Sequence, residues 1–226
     1  MSERGRGVFV TGTDTGVGKT VVSAALLLQL RRHGPVRFWK PIQTGIEQDN
    51  DTETVQRLSD CAPRELLNAG IRLPRPLSPH LAAAAASAVI DLDDLVTLQS
   101  AQPPDERWIV EGAGGALVPI NDRELMIDLM ARLGLPVVVA ARTRLGTINH
   151  TLLTLEALRH RGLDVAGVVM VGEGNAQNRD SIARYGDVEI IGELPMLPVL
   201  SAATLSSASA GWCIDRLVRP PSTVAS

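Results

Sequence analysis

Six short aliphatic runs punctuate the chain, and each gives way to a loop of Gly, polar and charged residues. They cover residues 7–11 (GVFVT), 36–40 (VRFWK), 107–111 (RWIVE), 136–141 (PVVVAA), 165–171 (VAGVVMV) and 188–192 (VEIIG). Runs this short, rich in Val and Ile and mostly uninterrupted by polar positions, predict strands apolar on both faces. Their alternation with helical spacing predicts an α/β fold, a mostly parallel sheet flanked by helices on both faces. Helices are predicted over about residues 19–32 and 51–60 and, because alanine is the best helix former, over HLAAAAASAV at 80–89. The proline-rich residues 70–79 read as an irregular surface connection, and RPPSTVAS at 219–226 as a frayed tail.

Composition narrows the partners. A chain of 226 residues with 45% hydrophobic content can bury one core without metals or disulfides, so a single domain over residues 1–226 is expected. Net charge is −3 and the basic residues are scattered, so no stripe suits a nucleic-acid backbone. No window approaches the ~18 apolar residues of a membrane span, and MSERGRGVFV holds too short an apolar stretch for a signal peptide. A cytoplasmic protein without nucleic-acid or membrane partners is expected. Cys61 and Cys213 match neither a disulfide framework nor metal-site spacing, and read as reduced thiols.

The candidate chemistry lies in the loops after the runs, where ligands of parallel α/β sheets gather. The first is GTDTGVGKT: Gly12 is followed by five residues, Thr13 to Val17, before Gly18, Lys19 and Thr20, one more than the usual phosphate-loop spacing. The physics survives the insertion. Glycines let successive N–H groups turn inward, and the following helix adds the partial positive charge of its N-terminus. Lys19 would reach the β- and γ-phosphates and Thr20 would bind Mg²⁺. Three further segments follow later runs: KPIQTG with Lys40 and Thr44, EGAGG with Glu111 as a candidate metal ligand, and RTRLGTINH, where Gly146 and Thr147 open a helix whose first N–H groups are free for an anion. Position alone leaves Lys40 equally readable as a hydrated surface lysine, whereas for Glu111 the metal ligand is preferred to a solvated strand end.

The ordered set GTDTGVGKT, KPIQTG, SPH, VEGAGG and LGTINHTLLTLEAL closely resembles the dethiobiotin synthetase family, ATP-dependent carboxylases that close the ureido ring in biotin biosynthesis. The likeness runs from about Val8 to Leu197, and the family shares the lengthened phosphate loop. It implies a P-loop α/β fold, a homodimer, ATP and Mg²⁺ as cofactors, and 7,8-diaminopelargonate with CO₂ or bicarbonate as substrates. Lys19 would hold phosphate, and Thr20, Asp51 and Glu111 would hold Mg²⁺. Asp49 stays open beside Asp51, which is preferred because it directly precedes the helical TETVQRL. The nucleotide would also touch Thr15, Gly16, Val17, Gly18, Val21, Gly114, Pro195, Met196 and Leu197. The diamine end would meet Thr15, Thr44 and Gly114, with Lys40 beside the reacting carbamate. The substrate carboxylate would lie on the amides of Thr147, Ile148 and Asn149 of the partner subunit. His80 and His150 receive no role.

Many family members follow the fifth strand with Asn-Asp, the Asn amide pairing with adenine, whereas VVMVGEGNAQN places Val171 and Gly172 there. That departure predicts use of other nucleoside triphosphates besides ATP, unless Asn175 swings back into the same place or backbone groups around Pro195 to Leu197 read adenine unaided. The alternative from another class is a partitioning-type switch ATPase without synthetic activity. Such proteins carry a second lysine five residues before the phosphate-loop lysine, where this chain has Asp14.

Overall fold

Every aliphatic run becomes a strand in the computed structural model, which describes residues 6–218; the expected frayed tail at 219–226 lies outside the described residues. The elements follow in the order β1 (Gly7–Gly12), α1 (Lys19–Leu30), β2 (Val36–Trp39), β3 (Ile42–Thr44), α2 (Asp51–Ser59), β4 (Leu66–Leu67), β5 (Ile71–Leu73), α3 (Pro79–Ala85) and α4 (Leu92–Ser100). Then come β6 (Arg107–Gly115), α5 (Met126–Leu133), β7 (Val137–Arg142), α6 (Thr147–His160), β8 (Val165–Val171), α7 (Ala176–Gly186), β9 (Ile190–Leu194), α8 (Ala202–Ser209) and α9 (Asp215–Val218).

Among the described residues the main sheet has seven strands, ordered β4-β2-β6-β1-β7-β8-β9 and parallel throughout. Strand β1 illustrates why the runs lack a polar face. Val8 and Val10 point into a core layer shared with Val22, Leu26 and Leu30 of α1, while Phe9 points into the opposite layer with Met126 and Met130 of α5. Both layers exclude water, so each alternate position must be apolar. Helices α1, α2 and α8 cover one face, and α4, α5, α6 and α7 the other.

Several boundaries differ from the sequence reading. Strand β6 runs on to Gly115, because the bulge opposite Val10 and Gly12 of β1 lets the glycine turn stay paired. The last run is shifted to Ile190–Leu194. The predicted helix at 19–32 ends at Leu30 and tightens into a 3₁₀ turn, Arg31–His33. The alanine-rich helix stops at Ala85, ahead of Ser87 in a left-handed conformation with φ 51°. The connection at 70–79 is not wholly irregular: β5 pairs with β3 as a separate two-stranded parallel sheet. Strands of two or three residues are too short to carry a periodic signal, which is why β3, β4 and β5 escape the pattern.

The sheet edges are both restrained. Strand β4 has two residues, and on β9 the carbonyls of Ile191 and Glu193 accept from the Cys213 amide (2.8 Å) and the Trp212 indole (3.4 Å). Both cysteines are free thiols. No helix among the described residues is long and apolar enough to cross a membrane.

Candidate active site

The carboxyl ends of β1, β2 and β6 are neighbours in the sheet, and the candidate residues converge there. Gly18 caps α1 in the left-handed region (φ 97°), where a Cβ would come within 2.9 Å of Val171 Cγ1. Glycine is therefore required both by backbone angle and by space. The amides of residues 16–21 make no hydrogen bond to any described residue, so the loop and first turn of α1 present consecutive free donors. Lys19 lies buried beneath them, its Nζ donating to the Asp14 carbonyl at 3.0 Å. Burial first, and the neighbouring Lys40 second, push the Lys19 ammonium down to about 8, against the pull of Glu111, Asp51 and Asp14.

Lys40 follows β2 directly and is 3% exposed, which rules out the hydrated surface lysine. Its Nζ stands 2.7 Å from Asp51 Oδ2 and 2.8 Å from Glu111 Oε1, and donates to the Gly112 carbonyl at 3.1 Å. Burial acts to lower its pKa, but the two carboxylates outweigh it and hold Lys40 above the usual lysine range. Burial likewise acts to raise Asp51, yet Lys40, the Thr20 hydroxyl and Lys19 hold it below the usual carboxylate range.

Thr20 Oγ1 closes the cluster, 2.8 Å from Asp51 Oδ1 and 3.0 Å from Glu111 Oε1. Glu111 is fully buried, not a solvated strand end, and its second oxygen, Oε2, has no partner among the described residues. An ionised oxygen so placed is costly unless a cation or donor completes it. One hydroxyl, two carboxylates and an unsatisfied oxygen suit a hard cation that fills its remaining positions with phosphate oxygens and water, as Mg²⁺ does. They do not form an all-protein cage, consistent with the absence of any cluster of three or more His, Cys, Asp or Glu ligands among the described residues.

Of the two candidate aspartates, Asp51 is the one in the cluster. Asn50 caps α2 by accepting from the Thr52 and Glu53 amides at 3.1 and 3.4 Å, so the helix starts at Asp51 and its first side chain faces Thr20. The Asp49 side chain is exposed, and its carbonyl accepts from the buried Gln43 side chain at 2.9 Å. Gln43 thus fastens the approach to Asp51, a role invisible in the sequence because it depends on β3.

The remaining candidates are distributed around this centre. Thr15 and Gly16 are exposed at the loop tip, Val17 is buried beneath it, and Gly114 (φ 69°) lies near the end of β6. Thr44 ends β3, half-buried. Val21, Val171 and Leu197 pack against the core layer under α1, whereas Pro195 and Met196 are exposed after β9. At the mouth of α6 the Thr147 amide donates to the Arg144 carbonyl (3.1 Å) and its hydroxyl to the Arg142 carbonyl (2.5 Å). Only the Ile148 and Asn149 amides of the three expected donors lack a partner among the described residues.

A family model described as an AAA domain matches residues 6–204. The ATP-dependent dethiobiotin synthetase of Paramagnetospirillum magneticum is 51% identical over 203 residues, covering 89% of this chain and 93% of that protein. The chain belongs to the dethiobiotin synthetase family. The corresponding synthetase of Agrobacterium fabrum is 45% identical over 201 residues, covering 89% of this chain and 91% of that protein. Among solved structures, the septum site-determining protein MinD complexed with Mg-ADP from Pyrococcus horikoshii aligns with a TM-score of 0.57 at 14% identity, covering 91% of this chain and 92% of that one. The MinC:MinD complex from Aquifex aeolicus aligns with a TM-score of 0.56 at 14% identity, over 94% and 92% of the two chains. Such low identities speak for the fold alone, whereas the synthetase relatives support membership of that family over the partitioning type.

Two side chains that touch the phosphate loop or its surroundings were missed by sequence reasoning. Arg142, the last residue of β7, donates to Asp14 Oδ2 at 2.7 Å and to the Thr15 carbonyl at 3.1 Å. Asn178 in α7 donates to the Thr143 carbonyl at 3.0 Å. Each contact joins residues more than thirty positions apart in sequence, so only the packing of neighbouring strand ends brings them together.

Proposed function

We propose that this protein uses ATP and Mg²⁺ to carboxylate 7,8-diaminopelargonate with CO₂ and close the ring to dethiobiotin, releasing ADP and phosphate. The observation that carries the reading is the convergence of Lys19, Lys40, Thr20, Asp51 and Glu111 beside a loop with consecutive free amides. In the first step an amine adds to CO₂, forming the C–N bond of a carbamate and releasing a proton. A carbamate oxygen then attacks the γ-phosphorus with ADP leaving, and the second amine attacks the carbamoyl carbon, expelling phosphate.

The chain's part in this sequence is to position groups and to offset charge. Loop amides and Lys19 hold the phosphates, and Lys40 stands where the carbamate and transferring phosphoryl would meet. Thr20, Asp51 and Glu111 would hold Mg²⁺, which when bound neutralises phosphate charge. An open groove of about 380 Å³ leads away from Asp14 and Thr15, walled by Ala116, Leu117, Leu153 and Ala157. Such a wall suits the methylene chain of the substrate. Leu117, Leu145 and Leu153 are exposed around the groove and the mouth of α6, which supports a homodimer that covers them and brings the Ile148 and Asn149 amides of the partner subunit to the substrate carboxylate.

The test is ADP and dethiobiotin release with ATP, Mg²⁺, the diamine and bicarbonate, omitting each in turn. Turnover that requires both carbon substrates supports the synthetase. Hydrolysis indifferent to them would instead indicate the switch ATPase.

A further inference from the structure

The tip of the phosphate loop carries a carboxylate where an anion has to bind, and the surrounding contacts constrain it. Asp14 Oδ1 accepts from the Thr15 amide at 2.7 Å, its Oδ2 accepts from Arg142 at 2.7 Å, and its carbonyl accepts from Lys19 at 3.0 Å. Arg142 also donates to the Thr15 carbonyl at 3.1 Å, so one guanidinium grips both residues of the tip. Its strand, β7, is tied to the loop root, where the Thr13 amide donates to the Ala140 carbonyl at 3.1 Å. The Asp14 and Arg142 side chains are 57% and 45% exposed. An ion pair that open contributes little to global stability, so its consequence is local.

We infer that Arg142 is a positioning residue for nucleotide binding: it pins the Asp14–Thr15 tip and cancels the Asp14 charge beside the phosphates. The inference rests on the reading of this loop as the seat of a nucleoside triphosphate. Gly16 and Gly18, with φ 68° and 97°, give the loop its turns, and the same freedom must be lost when phosphate binds. A brace from a neighbouring strand removes part of that freedom beforehand. Without Arg142, the Asp14 carboxylate would be unscreened next to a polyanion and free to move toward its donors. The role runs through Asp14, so Arg142 is required only while position 14 is anionic.

Nucleotide titration of four proteins tests this: the wild type, Arg142→Ala, Asp14→Asn and the double variant, with ATP and ADP at fixed Mg²⁺. Asparagine keeps the oxygen that accepts the Thr15 amide and removes the charge. Arg142→Ala is expected to bind ATP about five- to tenfold more weakly, with a smaller loss for ADP, while its melting temperature stays within a degree or so of wild type. Adding Asp14→Asn is expected to restore affinity to within about twofold, and Arg142→Lys to restore part of it. Losses that simply add in the double variant would show that Arg142 contacts phosphate itself, and would overturn the inference. So would unchanged affinity in Arg142→Ala while the wild type binds ATP. A wild type that binds no nucleotide would remove the reading of the loop and the inference with it.

Discussion

An ammonium almost wholly withdrawn from water needs anionic partners, and Lys40 has two in Asp51 and Glu111. The same pairing makes Glu111 structural as well as a candidate metal ligand, which changes what its removal does. Glu111→Ala strips a buried charge pair at full burial, and the expected cost is on the order of 2–3 kcal/mol in denaturant melts, below the ~3–5 of a stranded ion because Asp51 remains. Glu111→Gln keeps a hydrogen-bonding oxygen and should fold better, yet still lose at least about 10²-fold in product formation. A Glu111→Ala variant as stable as the wild type would show that the pair contributes nothing to the fold. Lys19 yields a pH prediction. With its pKa at about 8, part of the population is neutral above that pH, and phosphate binding favours the charged form. Binding must then take up a proton, so ATP affinity should fall as pH rises from 8 to about 9.5. Calorimetry in buffers of different ionisation enthalpy measures the uptake, which Lys19→Met should abolish.

At the scale of elements, the β8–α7 connection decides how a base could be read. Asn175 does not swing back as a free amide: its Oδ1 caps α7 by accepting the Asn178 amide at 3.0 Å, and the Asn178 side chain is engaged by Thr143. Val171 holds the place of the asparagine, and at the following Gly172, with φ 130°, a Cβ would come within 2.5 Å of Thr143 Oγ1, so the aspartate of the Asn-Asp pair cannot simply be restored beside it. Without an amide that both accepts and donates, the wrong base leaves no buried group unpaired. ATP, GTP and CTP are therefore expected to differ by about tenfold or less in kcat/KM, roughly 1.4 kcal/mol. A preference above about a hundredfold, measured on the wild type, would refute this. The elements that carry the phosphate chemistry were legible in the sequence because each is local: strand, glycine turn and helix start lie within about 25 residues of GVFVT, and Asp51 stands beside its helix. What stayed hidden depends on pairing between distant segments. The burial of Lys40, the clamp of Gln43 on Asp49 and the reach of Arg142 to Asp14 all follow from strand order, which periodicity does not encode.

For the whole molecule, the sheet places the phosphate loop at the carboxyl end of β1 and the mouth of α6 after the adjacent β7, so one crevice holds both kinds of anion seat. If the seat at α6 serves the same subunit's own loop, one chain suffices; if it serves the partner's loop, sites exist only in pairs. Exposed Leu145 and Leu153 near that mouth favour the second arrangement. A complementation experiment separates them. Lys19→Ala disables the loop, and Asn149→Pro alters the mouth of α6 at an exposed position of its first turn, where proline is tolerated and the helix is retained. The proline removes one of the two free amides there and leaves the Thr147 hydroxyl on the Arg142 carbonyl, so the phosphate loop of the same chain keeps its brace. Each homodimer should be inactive or nearly so. In a heterodimer purified through two different tags, one crevice combines the intact loop of the Asn149→Pro chain with the intact α6 of the Lys19→Ala chain, while the other crevice carries both lesions. With a shared site, activity should return to about half the wild-type rate per dimer, one working site of two. With unshared sites every crevice carries one lesion, and verified heterodimers should stay as inactive as their parents, which would refute the shared arrangement.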